Sequence, residues 1–114
     1  MAACPAERQA ASTWPGVLYS HRSTVLHAFA ASQRQALDIS NDTVVLPVVP
    51  MFHVCAWGTP YAAAMSGAKL VFPGPRLDGA SLTDLANLEQ ATLMLGVPTV
   101  WQGLLDHLRE TQSS

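Results

Sequence analysis

An α/β fold built on a partial parallel sheet is what this sequence predicts, and three observations predict it. Short apolar runs, Thr43–Leu46, Lys69–Phe72 and Thr92–Leu95, alternate with segments whose apolar residues recur at helical spacing. The connections between them are short and carry Pro and Gly. After a first helix the order is therefore β-α-β-α-β-α, which pairs strands in parallel through crossover helices. Three parallel strands make a poor domain by themselves, because such sheets are buried on both faces and need neighbours at their edges.

The elements follow in order. Met1 to Trp14 is small, polar and alanine-rich without a period, an irregular lead-in before a unit spanning residues 15–110. Gly16 to Tyr19 is a short extended run. The serines of Ser20-His-Arg-Ser23 are placed to cap a helix, whose apolar face the spacing assigns to Val25, Leu26, Phe29, Ala30 and Leu37. Asp38 to Asp42 is a polar connector. The strand from Thr43 is expected to bend or be released at Pro47, which has no N–H for the ladder, and Pro50 stops the run.

Val54, Trp57, Tyr61 and Met65 recur at near-helical spacing. Pro60 either starts that helix after Thr59 or kinks a longer one, and Gly67 stops it. Lys69–Phe72 reads as a second buried strand closed by Pro73-Gly-Pro75. Ser81-Leu-Thr-Asp84 has the spacing of a capping box, with Leu82, Leu85 and Leu88 as the inner face of its helix. Thr92–Leu95 is the third strand. Pro98 fits the first turn of a last helix, striped by Trp101, Leu104, Leu105 and Leu108, and residues 111–114 read as a polar tail.

Composition narrows the function. At 114 residues the chain holds one domain. With 49% hydrophobic and 12% charged residues it is apolar for its size, which implies exposed apolar area or a partner that covers it. A net charge of −2 makes no electrostatic case for nucleic acid. Cys4 and Cys55 are too few for a disulfide framework; Cys55 reads as a buried free thiol, and a reducing, cytoplasmic setting is expected. No apolar run reaches signal-peptide or membrane-span length. The G-x-S-x-G, G-x-G-x-x-G and P-loop signatures are absent from the sequence. His21, His27, His53 and His107 do not fall at the close spacings of a zinc site, so no metal ligands are assigned.

The stretch Pro47 to Gly58 is the strand-to-helix junction where α/β proteins place ligands. His53, just past a strand's carboxyl end, either faces such a crevice, where its imidazole would meet a carboxyl or phosphate oxygen, or bonds a backbone carbonyl and packs on Phe52. Phe52, Trp57 and Tyr61 fit core or pocket wall. Gly96 and Thr99 repeat the arrangement at the third strand: the glycine lets a ligand approach the backbone and the helix N-terminus favours an anion, or the two simply make a tight turn.

Gly16-Val-Leu-Tyr-Ser-His-Arg22, Pro50-Met-Phe-His53, Gly67-Ala-Lys-Leu-Val71, Pro73-Gly-Pro75 and Gly96-Val-Pro-Thr-Val-Trp101 stand in the order and at the spacing of the amino-terminal domain of AMP-forming acyl-CoA synthetases. The chain resembles the fatty-acyl members of that adenylate-forming superfamily from Gly16 to Arg109. The resemblance implies a piece of a larger domain, in an enzyme that uses ATP, Mg²⁺ and CoA to turn a fatty acid into an acyl-adenylate and then a thioester. By the same carry-over His53 lies beside the acyl and adenylate site, Phe52 and Trp57 are pocket walls, and Gly96 and Thr99 line the acyl pocket.

Two departures qualify it. The family's Thr-Ser-Gly-Thr-Thr-Gly-x-Pro-Lys-Gly phosphate loop should end at Gly16, where this chain has Ala10-Ala-Ser-Thr-Trp-Pro15 before it. The family's Tyr-Gly-x-Thr-Glu element, ribose-binding aspartate and catalytic lysine have no counterpart in the sequence. The expectation is thus a ligase fragment that is inactive alone, binds none of these cofactors by itself and holds no catalytic residue. The alternative is a non-enzymatic acyl-binding or interaction module, its exposed sheet edges open to association.

Overall fold

The computed structural model describes residues 17–112; the lead-in over residues 1–14, Cys4 and Gly16 lie outside them. The element order is α1 (His21–Ser32), β1 (Val44–Val48), α2 (Thr59–Ser66), β2 (Lys69–Leu70), α3 (Gly79–Glu89), β3 (Leu93–Gly96) and α4 (Pro98–Gln112). The strands form one parallel sheet in the order β2-β1-β3, with Val45 beside Leu70 and Val45 to Val48 beside Leu93 to Gly96. The α/β class, the parallel pairing and the βαβαβα order are those the sequence predicts.

β1 is central, and its alternation builds two cores. Val45 points to one face, where it packs with Ala28, Ile39 and Ala62. Leu46 and Val48 point to the other, with Val71 and Leu82. Helices α1 and α2 thus cover one face of the sheet, and α3 and α4 the other. Full burial of a side chain such as Leu46 or Leu82 stabilises the fold by about 1.5–3 kcal/mol.

Pro47 does not end the strand. Thr43 and Val45 turn their carbonyls toward β2, accepting from Lys69 and Val71. Pro47 falls on the same side by alternation and offers no N–H there, so the β2 pairing stops at Leu70 while the β3 pairing runs on to Gly96. β2 is accordingly two residues long, not the buried four expected, and Phe72 is exposed.

The caps explain the helix bounds. Ser20 Oγ accepts from Ser23 N at 3.1 Å and starts α1. Pro60 sits in the first turn of α2, and Gly67, at φ +73°, ends it in the left-handed conformation a glycine tolerates. α3 begins earlier than the capping-box spacing implied: Asp78, not Ser81, is its N-cap, accepting from Ser81 N at 2.9 Å. α4 runs to Gln112, so Thr111 and Gln112 are helical rather than tail.

Three face assignments are corrected. On α1 the buried residue is Ala28, while Val25, Leu26 and Phe29 are exposed and Leu37 lies beyond the helix. α1 meets α2 closely through small residues, with Ser32 and Ser66 hydroxyls 3.1 Å apart, an approach that leaves no room for the larger side chains. On α3 Leu88 is 78% exposed and Ala86 packs inward instead. Cys55 is exposed, not a buried thiol.

Candidate functional site

β1 and β3 are neighbours whose outgoing chains leave toward opposite faces. After β1 the chain turns to α2, which packs with Val45; after β3 it turns to α4, which packs with Leu46 and Val48. This reversal at adjacent carboxyl ends is the switch point where open parallel sheets leave a ligand crevice. The Val48–Gly96 pair is the last of the β1–β3 ladder there.

The turn from Val49 to Gly58 is organised by His53. Its N–H donates to Pro50 O at 2.9 Å, and its carbonyl accepts from Ala56 N at 2.8 Å and Trp57 N at 3.0 Å. Its ring Nδ1 accepts from Cys55 N at 3.1 Å. The ring therefore bonds a backbone N–H, not the carbonyl the sequence suggested. An accepting Nδ1 puts the proton of the neutral imidazole on Nε2, leaving that atom as a donor.

Around this turn lies a groove of about 760 Å³, lined by Val17, Tyr19, Met51, Phe52, Val54, Trp57, Pro60 and Tyr61. Its size is that of a small-molecule site. Its lining carries no charged residue; the Trp57 indole N–H and the Tyr19 and Tyr61 hydroxyls are its polar side-chain groups. Such a lining suits an apolar group better than a triphosphate, for which it holds no cationic side chain. Two rings stack on Trp57: Tyr19 at 5.0 Å between centroids and His27 at 4.4 Å.

Phe52 and Trp57 thus come together in the groove, and Phe52, 86% exposed, is wall rather than core. His53 lies in the same turn, half-buried and outside the groove lining. Gly96 and Thr99 belong to the adjacent β3–α4 turn. A Cβ on Gly96 would stand 3.0 Å from the Trp101 ring, so the missing side chain makes room for that indole. Thr99 is exposed in the first turn of α4. Among the described residues no group of three or more His, Cys, Asp or Glu is placed to hold a metal ion, and no helix is long and apolar enough to cross a membrane.

The sequence matches the AMP-binding enzyme family over residues 15–114. The chain belongs to the AMP-binding enzyme family. It is 64% identical over 90 residues to the medium-chain-fatty-acid–CoA ligase of Ectopseudomonas oleovorans, covering 79% of this chain and 16% of that protein. It is 61% identical over 92 residues to the 3-methylmercaptopropionyl-CoA ligase of Ruegeria lacuscaerulensis, covering 81% and 17%. It is 58% identical over 96 residues to the long-chain-fatty-acid–CoA ligase of Thermus thermophilus, covering 84% and 18%. This AMP-binding family chain therefore spans 16–18% of the length of these relatives. The family implies ATP, Mg²⁺ and CoA for such enzymes; the groove described above carries no carboxylate for Mg²⁺ and no cationic side chain for a triphosphate.

Beside the groove lies a stack that sequence reasoning missed. Tyr19, from the motif before α1, and His27, on α1, both meet Trp57. A Cβ on Gly58 would lie 2.7 Å from His27 Nδ1. Residues about 30 to 40 positions apart in sequence leave no periodic signal for such a contact.

Proposed function

We propose that this chain supplies the acyl-chain wall of a fatty-acid–CoA ligase and does not carry the reaction alone. The observation that bears the reading is the uncharged groove of about 760 Å³ beside the turn that follows β1. Relatives named for medium-chain and long-chain fatty acids, at 64% and 58% identity, support a fatty acid as its occupant. In this reading Phe52 and Trp57 flank the alkyl chain, His53 Nε2–H donates to an oxygen at its carboxyl end, and Gly96 and Thr99 close the neighbouring turn. The residues before Gly16 lack the glycines and lysine with which the resembled loop holds phosphate. Adenylation stabilises developing charge on phosphate, which an apolar groove leaves unsupported.

The test is two titrations of the purified chain. Dodecanoate should bind without nucleotide, and pyrophosphate release from ATP with Mg²⁺ and dodecanoate should stay at background. Release above background, abolished by His53→Ala, would overturn the inactive-alone reading. Failure to bind dodecanoate would overturn the groove assignment. Nucleotide-independent binding also accommodates the reading of a non-enzymatic acyl-binding module, favoured by the groove's uncharged lining; fatty-acid binding unchanged by ATP when the rest of a ligase is supplied would support that second reading.

A further inference from the structure

The two edges of the sheet are unlike. β2 is short, and it is blunted by exposed Lys69, which pairs with Glu89, and by Pro73 just beyond it. β3 makes the other edge with Leu93-Met-Leu-Gly96, a run that holds no charge and no proline. Val45 turns toward β2, where its carbonyl accepts from Val71 N. In the parallel register Val45 stands beside Leu93, so by alternation Leu93 and Leu95 face β1. Met94 and Gly96 therefore turn their N–H and C=O groups outward, and among the described residues no hydrogen-bond partner meets them. Both residues are half-buried, where unpaired backbone groups cost free energy until a partner is found.

This edge is complementary to itself. With two copies of β3 set antiparallel, Met94 opposite Gly96 of the second copy, each outward N–H meets an outward C=O. The two-fold axis then passes beside Leu95, and both copies keep α1 on the same side of the joined sheet. So short a seam buries far less than the roughly 800 Å² per partner of a stable interface. α1 supplies further area. Leu93 and Leu95 pack against the core that contains Ala28, which sets α1 on the β3 side of its layer, while α2, the crossover from β1 to β2, takes the other side. Val25, Leu26 and Phe29 on α1 are each more than half exposed. Joining the β3 edges brings these two apolar faces together across the axis.

We propose that this chain forms a two-fold pair with a second copy of itself, through antiparallel β3 strands and the apolar face of α1. The pairing is read from the edge and the helix alone and does not depend on the acyl-groove reading.

Sedimentation equilibrium of the full chain should give a mass twice that of one copy. Amide exchange locates the contact: Leu95 N–H is held by β1 in any case, so Met94 and Gly96 report the seam and should exchange as slowly as Leu95. In a Cys4→Ser, Cys55→Ser background, Leu95→Cys should form a disulfide between copies, because facing residues at such a position lie about 4.5 Å apart at Cα. Leu88→Cys, on the exposed side of α3, should not. Phe29→Asp should weaken association about tenfold or more, the loss of an aromatic anchor. A monomer at every concentration overturns the proposal and leaves the edge to a strand from outside this chain. A pair whose Met94 and Gly96 amides exchange freely overturns it too, as does an assembly that keeps growing with concentration. Pairing of Phe29→Asp as tight as the parent's takes α1 out of the interface. If Leu95→Cys fails to fold, the amides of the parent decide.

Discussion

The imidazole of His27 fills the space that a side chain on Gly58 would take, with Nδ1 2.7 Å from where its Cβ would stand. Gly58→Ala should therefore destabilise the chain by about 1–3 kcal/mol, the usual cost of overpacking. In a His27→Ala background the same change should cost much less, because the obstructing ring is gone. Urea denaturation of the four chains gives the coupling, and equal costs in both backgrounds would remove the steric explanation.

Leu82 and Leu88 share a helix and the same apolar chemistry, but Leu82 is buried beside Leu46 and Leu88 is 78% exposed. Leu82→Ala should cost about 2–5 kcal/mol. Leu88→Ala should stay within about 0.5 kcal/mol of the parent. Unfolding midpoints measure both, and equal losses would place Leu88 in a core.

Asp78 caps α3, and the hydrogen bonds from Ser81 N–H and its side chain hold the carboxyl below its usual value. A carboxyl lowered in the folded state stabilises above its unfolded pKa and loses that contribution as pH falls through its folded one. The stability gap between parent and Asp78→Ala should thus be full near neutrality and close in acid. A gap that widens on acidification contradicts the cap.

Phe52, 86% exposed, has little folding role for its ring, although it lines the groove. Phe52→Ala should leave the unfolding midpoint within about 0.5 kcal/mol of the parent. It should weaken dodecanoate binding by about tenfold, as loss of a ring contact in a binding site does. Unchanged affinity would take Phe52 out of the site.

Gly67 stands at φ +73°, where a Cβ has space but the backbone is strained for any L side chain. Gly67→Ala should cost about 1–2 kcal/mol through that conformation alone, read from the thermal midpoint.

By itself the sequence determined the βαβαβα order, the parallel sheet, the Gly67 stop of α2 and the motifs that mark the family; between a Pro60 start and a Pro60 kink of that helix it left the choice to the structure. These are local: strand and helix periods, proline's missing N–H and glycine's free φ act within a few residues. Tertiary structure decided which apolar residues are core. Periodicity puts Val25, Leu26 and Phe29 on a helix, but only the close Ala and Ser contact between α1 and α2 turns them outward. It likewise set the length of β2, because Pro47 withdraws its N–H on one side of β1 alone. The groove was half legible: Phe52 and Trp57 stood in a recognisable turn, but Tyr19 and His27 reach Trp57 across distances in sequence that only packing closes.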